Sequence, residues 1–392
     1  MTFRWFFSKS VRRATELRNH VRKLYNAQGD ILSPEASAGL ETALESTNRV
    51  IHDGADSARI ETQLQDLENV ANERLKPYPN AEWRENIEVF LVAIAVAMAI
   101  RTFFVQPFKI PTGSMQPTLF GITYENLLPH PEVLIPGLLG RIKDACIHGV
   151  FYHALVARDN GEIIEIPRKE TFLRFINLQR LVVRYAGAGG DRTETHTLWF
   201  APEEKFESYA DVHPGQAFYK GDYIVKLREI TGDHLFVDRV TYNFRHPKRG
   251  EIVVFQTKGI DDLPQDQFYI KRLVALGGET VQIGGDRHLI IDGQRLDAAT
   301  PHFESVYSFT GPPGMNKYSG HVNLDRRAVF FFPDRSYQVR PRHLMVMGDN
   351  TMNSSDSRYW GDFPEENVIG KSFFIYWPIS NHGTSRFGWS VR

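Results

Sequence analysis

The 392 residues carry 46 Lys+Arg against 47 Asp+Glu, 42% hydrophobic side chains and one cysteine, Cys146. Balanced charge leaves no basic footprint for a nucleic acid partner, and the apolar fraction is far too low for a polytopic membrane protein. A lone cysteine excludes an internal disulfide framework and a cysteine zinc cluster, and the length leaves room for two or three domains.

Residues 1–86 read as a helical arm. The first 25 are strongly basic, with Arg12, Arg13, Arg18, Arg22 and Lys23 among them and Trp5, Phe6 and Phe7 interleaved. That mixture suits a helix lying on an anionic lipid surface. Leu32-Ser33-Pro34-Glu35 marks a helix start, Leu64, Leu67 and Val70-Ala71 recur at helical spacing, and Pro77-Tyr78-Pro79 closes the arm. Residues 87–105 are almost wholly apolar, interrupted by Glu88 and Arg101. They lack helix-period alternation with polar residues and just reach the length of about 20 that a span needs, so a single transmembrane anchor is expected over a buried core helix. Pro107 is expected to end it. Ala95-Val96-Ala97 imitates a cleavage site, but more than eighty residues precede it, which argues against a removable signal peptide. Basic residues near the span favour a cytoplasmic N-terminus.

Beyond the span stands Pro107-Phe108-Lys109-Ile110-Pro111-Thr112-Gly113-Ser114-Met115-Gln116-Pro117-Thr118, a small-residue turn holding a hydroxyl between prolines. Residues 120–230 are weakly patterned, with a polar stretch around 187–197. From about 219 short strands appear: Tyr223–Leu227, Leu235–Val237, Glu251–Phe255, Phe268–Leu276 and Leu289–Ile291. Turn signals such as Lys248-Arg249-Gly250 and Asp292-Gly293 punctuate them. This is the pattern of a mostly β domain.

A serine hydroxyl needs a base beside it. Lysine serves only if burial among apolar groups drives off its proton. Lys271 lies in a strand whose faces alternate as Tyr269/Lys271/Leu273/Ala275 and Ile270/Arg272/Val274/Leu276. Both faces are largely apolar, so one basic residue can be paired with a carboxylate while the other is left neutral. Taken alone, Lys271 reads more simply as a strand-edge lysine. Fourteen histidines, His246 and His343 among them, are competing bases, but no Gly-x-Ser-x-Gly elbow accompanies them.

Three blocks together resemble type I signal peptidases, membrane-bound Ser/Lys proteases. They are Pro107–Thr118 after the span, Tyr269–Glu279, and Met347-Gly348-Asp349-Asn350 through Ser354-Ser355-Asp356-Ser357-Arg358 to Lys371. A weaker fourth runs from Gly232 to Arg239 and from His246 to Phe255. The match covers 87–119 and 232–378. The resemblance implies an antiparallel β catalytic domain (106–119 and 231–380) after an N-terminal helical arm and one transmembrane helix. It also implies an insertion at 120–230 and a tail at 381–392, with no cofactor or metal. It implies Ser114 as nucleophile and Lys271 as general base. Thr112 would help stabilise the oxyanion, Ser354 would orient the lysine, and Arg272 with Asp349 and Asp356 with Arg358 would form supporting ion pairs. Ile110, Ile270 and Met115 would line pockets for small side chains.

Three departures stand out: Thr351-Met352 replaces a pair that is charged in many relatives, the insertion has almost no counterpart in compact ones, and the arm at 1–86 is longer than a minimal anchor needs. The implied function is removal of signal peptides from exported preproteins after Ala-x-Ala-like sites. The enzyme would sit in a bacterial cytoplasmic membrane with its catalytic domain outside. Signal peptides, membrane lipid and the secretion translocon are the expected partners. The rival reading is a catalytically idle, membrane-anchored binding or scaffold protein of the same fold. The sequence does not choose between a docking role and a surface elaboration for the insertion.

Overall fold

The computed structural model describes residues 8–53, 56–76, 81–165, 167–172, 176–186, 190–202, 205–307, 320–321, 335–381 and 383–389. The chain divides into two compact units, Met1–Ile94 and Ala95–Arg392.

In the first unit, α1 (Lys9–Gln28), α2 (Pro34–His52) and α3 (Ser57–Arg74) form a helical bundle. Ser8, Ser33 and Asp56 cap their N-termini by accepting backbone N–H groups, and Pro34 occupies the first turn of α2. Val11, Ala14 and Val21 of α1 are buried against Leu40, Leu44, Ile60 and Leu67. Helix α1 thus turns its apolar stripe into the bundle and leaves its basic face outward. Trp5, Phe6, Phe7 and Pro77-Tyr78-Pro79 lie outside the described residues.

Helix α4 (Ala81–Phe103) contains 19 residues, Glu85–Phe103, that are apolar and long enough to cross a membrane, with none of that stretch buried. It stops before Pro107. Strand β1 (Val105–Lys109) takes over, and Pro107 sits within it, opposite Phe236. Strand β1 lies at the edge of its sheet, where a missing N–H is tolerated.

The stretch read as weakly patterned is largely β structure in its described residues. It contains β2 (Thr123–Asn126), helix α5 (Leu138–Lys143), β3 (Val150–Val156), β4 (Gly161–Ile163), β5 (Arg168–Phe172), β6 (Ile176–Tyr185), β7 (Arg192–Trp199), β8 (Ala217–Phe218) and β9 (Tyr223–Ile230). Strands β2, β9 and β3 form one sheet, and β5, β6, β4 and β8 another, with β7 also on β6. Along β6, Leu181, Val183 and Tyr185 turn into a separate core with Ile163, Phe206 and Phe218. The segment leaves and returns through an antiparallel pair in which Thr123 faces Ile230.

The principal sheet runs β1, β10 (His234–Asp238), β19 (Val368–Trp377), β11 (Ile252–Gln256), β12 (Phe268–Ala275), β17 (His343–Met347), β18 (Phe363–Pro364), with every pairing antiparallel. Strand β11 shows why it lies centrally. Ile252 and Val254 pack with Ile110, Met115, Leu119 and Leu235, while Val253 and Phe255 pack on the other face with Leu273, Val346 and Phe363. A smaller sheet, β13 (Thr280–Ile283), β14 (Leu289–Ile291), β15 (Gln294–Arg295) and β16 (Tyr337–Gln338), has its own core.

Residues 383–389 pair and bond with this unit. Gly388–Trp389 pairs with β19, and Arg386 binds the Asp233 carboxylate and donates to the Thr118 carbonyl at 2.9 Å. Asp233 in turn accepts from the Phe120 N–H at 2.7 Å, and its carbonyl accepts from the Ile110 N–H at 2.9 Å. The turn around Ser114 is thus held from both sides. Gly232 makes that approach feasible, because a Cβ there would stand 1.9 Å from the Ile110 oxygen. Gly232→Ala should therefore lower unfolding free energy by about 1–3 kcal/mol through backbone displacement. Denaturant titration in detergent checks this, and an unchanged midpoint would contradict it.

Candidate functional site

Ser114 sits in a single helical turn, Gly113–Met115, directly after the edge strand β1. The turn is pinned from beneath by Met115, which has no exposed surface, and by Ile110. Asn350 holds it from the side: its backbone N–H donates to the Ser114 carbonyl at 3.0 Å, and its Nδ2 donates to the Gly113 carbonyl at 2.9 Å. Sequence reasoning passed over Asn350, although its place beside Asp349 was the available signal.

Strand β12 delivers Lys271 to this turn. Its Nζ donates to Ser114 Oγ at 2.7 Å and to the Ile270 carbonyl at 3.1 Å, and it stands 5.5 Å from the centre of the Tyr269 ring. Lys271 is 4% exposed. Burial pushes its amine down to about 8, opposed by the carboxylates of Asp356 and Asp349 and helped by Arg358. An amine with that value has a substantial neutral fraction at neutral to mildly alkaline pH, and a neutral amine 2.7 Å from a hydroxyl can accept its proton.

The neighbouring charges neutralise one another. Arg272 grips Asp349 in a fork, Nε to Oδ1 at 2.7 Å and Nη2 to Oδ2 at 2.6 Å, and its Nη1 donates to the Gly250 carbonyl at 2.6 Å. Thr118 Oγ1 also donates to Asp349, tying the far end of the serine turn to this pair. Arg358 binds Asp356 through Nε and Nη2, each at 2.8 Å, and its Nη1 reaches the Thr351 carbonyl at 2.6 Å. Burial pushes the Asp356 carboxyl up, but Arg358 and the Gly348 N–H outweigh it and hold the group below its usual range.

Thr112 is exposed, with Oγ1 3.5 Å from Ser114 Oγ. Ser354 is buried beside the turn: a Cβ on Gly348 would come within 2.1 Å of Ser354 Oγ and 2.4 Å of the Ser114 carbonyl. Yet Ser354 Oγ has no hydrogen-bond partner among the described residues, so the expected contact with Lys271 is not made. Of the residues expected to line pockets, Ile110 and Met115 are buried and packed with Leu235 and Val254, and Ile270 keeps a partly open surface. His246 pairs with Glu365 at 2.6 Å and His343 accompanies the Pro341 carbonyl, so neither stands by Ser114. A histidine the sequence reading did not single out, His321, is buried behind the Asp356–Arg358 pair with its Nδ1 3.1 Å from the Tyr307 hydroxyl. Burial, aided by Arg358, pushes it down to about 3.

A model of the family described as signal peptidase, peptidase S26, matches residues 83–125 and 228–377, the segments that carry α4, the serine turn and the principal sheet. Signal peptidase I of Leptolyngbya laminosa is 32% identical over 38% of this chain and 63% of its own length. Probable signal peptidase I-1 of a Synechocystis strain is 34% identical over 39% and 66%, and signal peptidase I of Pseudomonas fluorescens 30% identical over 40% and 60%. A crystal structure of a signal peptidase I from Enterococcus faecalis V583 aligns at 26% identity over 32% of this chain and 97% of that one, with a TM-score of 0.24. The chain belongs to the signal peptidase family. It spans about three fifths of the length of the first of these curated relatives, and most of the insertion lies outside the matched segments.

Removing one partner of a buried pair strands the other charge. Asp349→Asn should therefore cost about 3–5 kcal/mol of stability, whereas Arg272→Met with Asp349→Leu should cost less than either single change. Denaturant melts of Asp349→Asn, Arg272→Met, Asp349→Leu and the double variant test this. Equal losses in the double and single variants would show that the pair is not the relevant unit.

Proposed function

We propose that this chain is a membrane-anchored serine endopeptidase that removes signal peptides from exported preproteins, with Ser114 as nucleophile and Lys271 as general base. The observation that carries the reading is the 2.7 Å contact between a buried, weakly basic amine and the Ser114 hydroxyl. Membership of the signal peptidase family supplies the substrate class.

In this mechanism Ser114 Oγ bonds to the scissile carbonyl carbon as its proton passes to Lys271 Nζ. The C–N bond then breaks, Nζ returns the proton to the departing amine, and water hydrolyses the acyl-enzyme. Thr112 Oγ1 stands 3.5 Å from Ser114 Oγ and is assigned to the developing oxyanion with the Ser114 N–H. Ser354 is assigned to hold the neutral amine once substrate displaces its bond to Ser114, and its unpartnered buried hydroxyl supports that role. The two arginine–carboxylate pairs fix β12, β17 and the serine turn relative to one another. The substrate is taken to lie as an extended strand with a small side chain against Ile270. Helix α4 is read as the span, with the principal sheet on the far side of a bacterial cytoplasmic membrane.

Cleavage of a preprotein bearing an Ala-x-Ala site, assayed in lipid, tests the assignment. Ser114→Ala and Lys271→Ala should each lose about 10³-fold or more in kcat, and the double variant should be no worse than either. Retained activity in Lys271→Ala would remove the lysine from the mechanism. A wild-type chain inert on several preproteins would favour a binding protein.

The base acts when neutral, so kcat/KM should rise with pH through a limb near 8, set by the depressed amine of Lys271. A limb near the ~10.4 of free lysine would mean that burial does not tune it. Stability should follow the same group. The unfolded chain binds the extra proton between about pH 8 and the ordinary lysine value, so wild-type stability should climb over that window. Lys271→Met should be more stable than wild type at pH 7 by about 1–3 kcal/mol, with the advantage shrinking above pH 8. Melts at both ends of the window read the difference, and a constant advantage would contradict it.

A further inference from the structure

The insertion carries an apolar surface that its own core does not use. Val133-Leu134-Ile135-Pro136-Gly137-Leu138-Leu139-Gly140-Arg141-Ile142-Lys143 contains helix α5, and Leu134, Leu138, Leu139 and Ile142 are 82, 75, 83 and 51% exposed. Leu138, Leu139 and Ile142 share one side of the helix, since i, i+1 and i+4 fall within one stripe. The nearby carboxylates are engaged: Glu132 faces His130 at 3.2 Å, and Asp144 accepts from the Tyr152 hydroxyl at 3.0 Å. Arg141 and Lys143 are the cations of the patch. Arg141 also lines one groove with Phe151, Trp199 and Phe200, two of which are more than half exposed. Phe151 meets the Trp377 ring edge-on at 6.4 Å, and Trp377 Nε1 donates to the Cys146 carbonyl at 2.8 Å, fixing this end of the insertion to the principal sheet.

We infer that this leucine-tipped surface is a second membrane contact, seating the insertion on the headgroup boundary of the bilayer that α4 crosses. The inference rests on the reading of α4 as a span. Two observations favour lipid over a protein partner. The first is composition: aliphatic tips with flanking Arg and Lys and a ring of Phe and Trp suit an anionic interface, whereas leucine is under-represented among the anchors of protein–protein interfaces. The second is proximity. Trp377 lies opposite His234, His234 lies opposite Lys109, and β1 runs from Lys109 back to Val105, where α4 has just ended. One five-residue strand, about 17 Å long, separates the membrane exit from this end of the sheet.

Functionally, two points of contact on one bilayer would restrict the rotation that a single helix leaves free. The serine turn would then be held at a set height for substrates that are themselves embedded in lipid.

The test uses the full chain with Cys146→Ser, reconstituted into phosphatidylglycerol-containing vesicles made with or without acyl-brominated lipid. Single cysteines at Val92→Cys in α4 and Leu139→Cys in α5 carry an environment-sensitive fluorophore. Bromolipid should quench both labels, with a loss at 139 of at least about half that at 92, as expected for side chains seated 5–10 Å into the interface. Adding Leu134→Glu and Leu138→Glu should abolish the loss at 139 and leave 92 unchanged. Quenching at 92 alone would overturn the inference while leaving the span intact, and quenching at neither would remove both. Loss at 139 that survives the glutamates would mean the label inserts by itself. An unquenched 139 that cross-links two chains would assign the surface to a second copy.

Discussion

In the proposed mechanism the site depends on one electrostatic constraint: a lysine amine must be surrounded closely enough to lose its proton, while the charges nearby stay paired. In water the ammonium is strongly favoured. Here 96% of the Lys271 surface is removed from solvent, since only 4% is exposed, and the carboxylates that would restore the charge are already held by arginines. An unpaired Asp349 or Asp356 would pull the amine back towards its charged form. The arginine pairs therefore do more than hold strands together: they keep the field at Nζ from undoing the desolvation.

Backbone hydrogen bonding supplies the rest of the precision. The serine turn accepts two hydrogen bonds from Asn350, and the Asp233–Arg386 pair closes over its far end. Neither support touches the reacting atoms. Each removes a freedom that a proline-flanked loop at a sheet edge would otherwise have, and geometry held within a fraction of an ångström is what proximity effects require.

Much of this was legible in sequence where chemistry is local. The serine turn, the Lys271-Arg272 pair on one strand and the Asp349 and Asp356 carboxylates are short runs whose residue types have few other uses together. The strands between 223 and 291 could be read because β-branched runs alternate with turn signals. The insertion could not. Its β5 and β7 are mostly polar, and β6 carries Arg180 and Arg184, which pair across strands with Glu170 and Glu162. Such strands are stabilised by neighbours that periodicity does not reveal. Depth was likewise hidden: Ile110 and Met115 stand beside Ser114 in sequence, and nothing local shows that both are almost wholly buried. Arg386 joined the site from a stretch with no pattern at all.

The contacts that define the site span long reaches of chain. Lys271 lies 157 residues from Ser114, Asn350 lies 237 from Gly113, and Arg386 lies 268 from Thr118. Local structure can form while the chain is still emerging, but these closures wait for the last strands and come at the greatest entropic cost. Under the proposed reading, Ser114 meets its base only when nearly everything else is in place, and a half-made chain holds an ordinary serine.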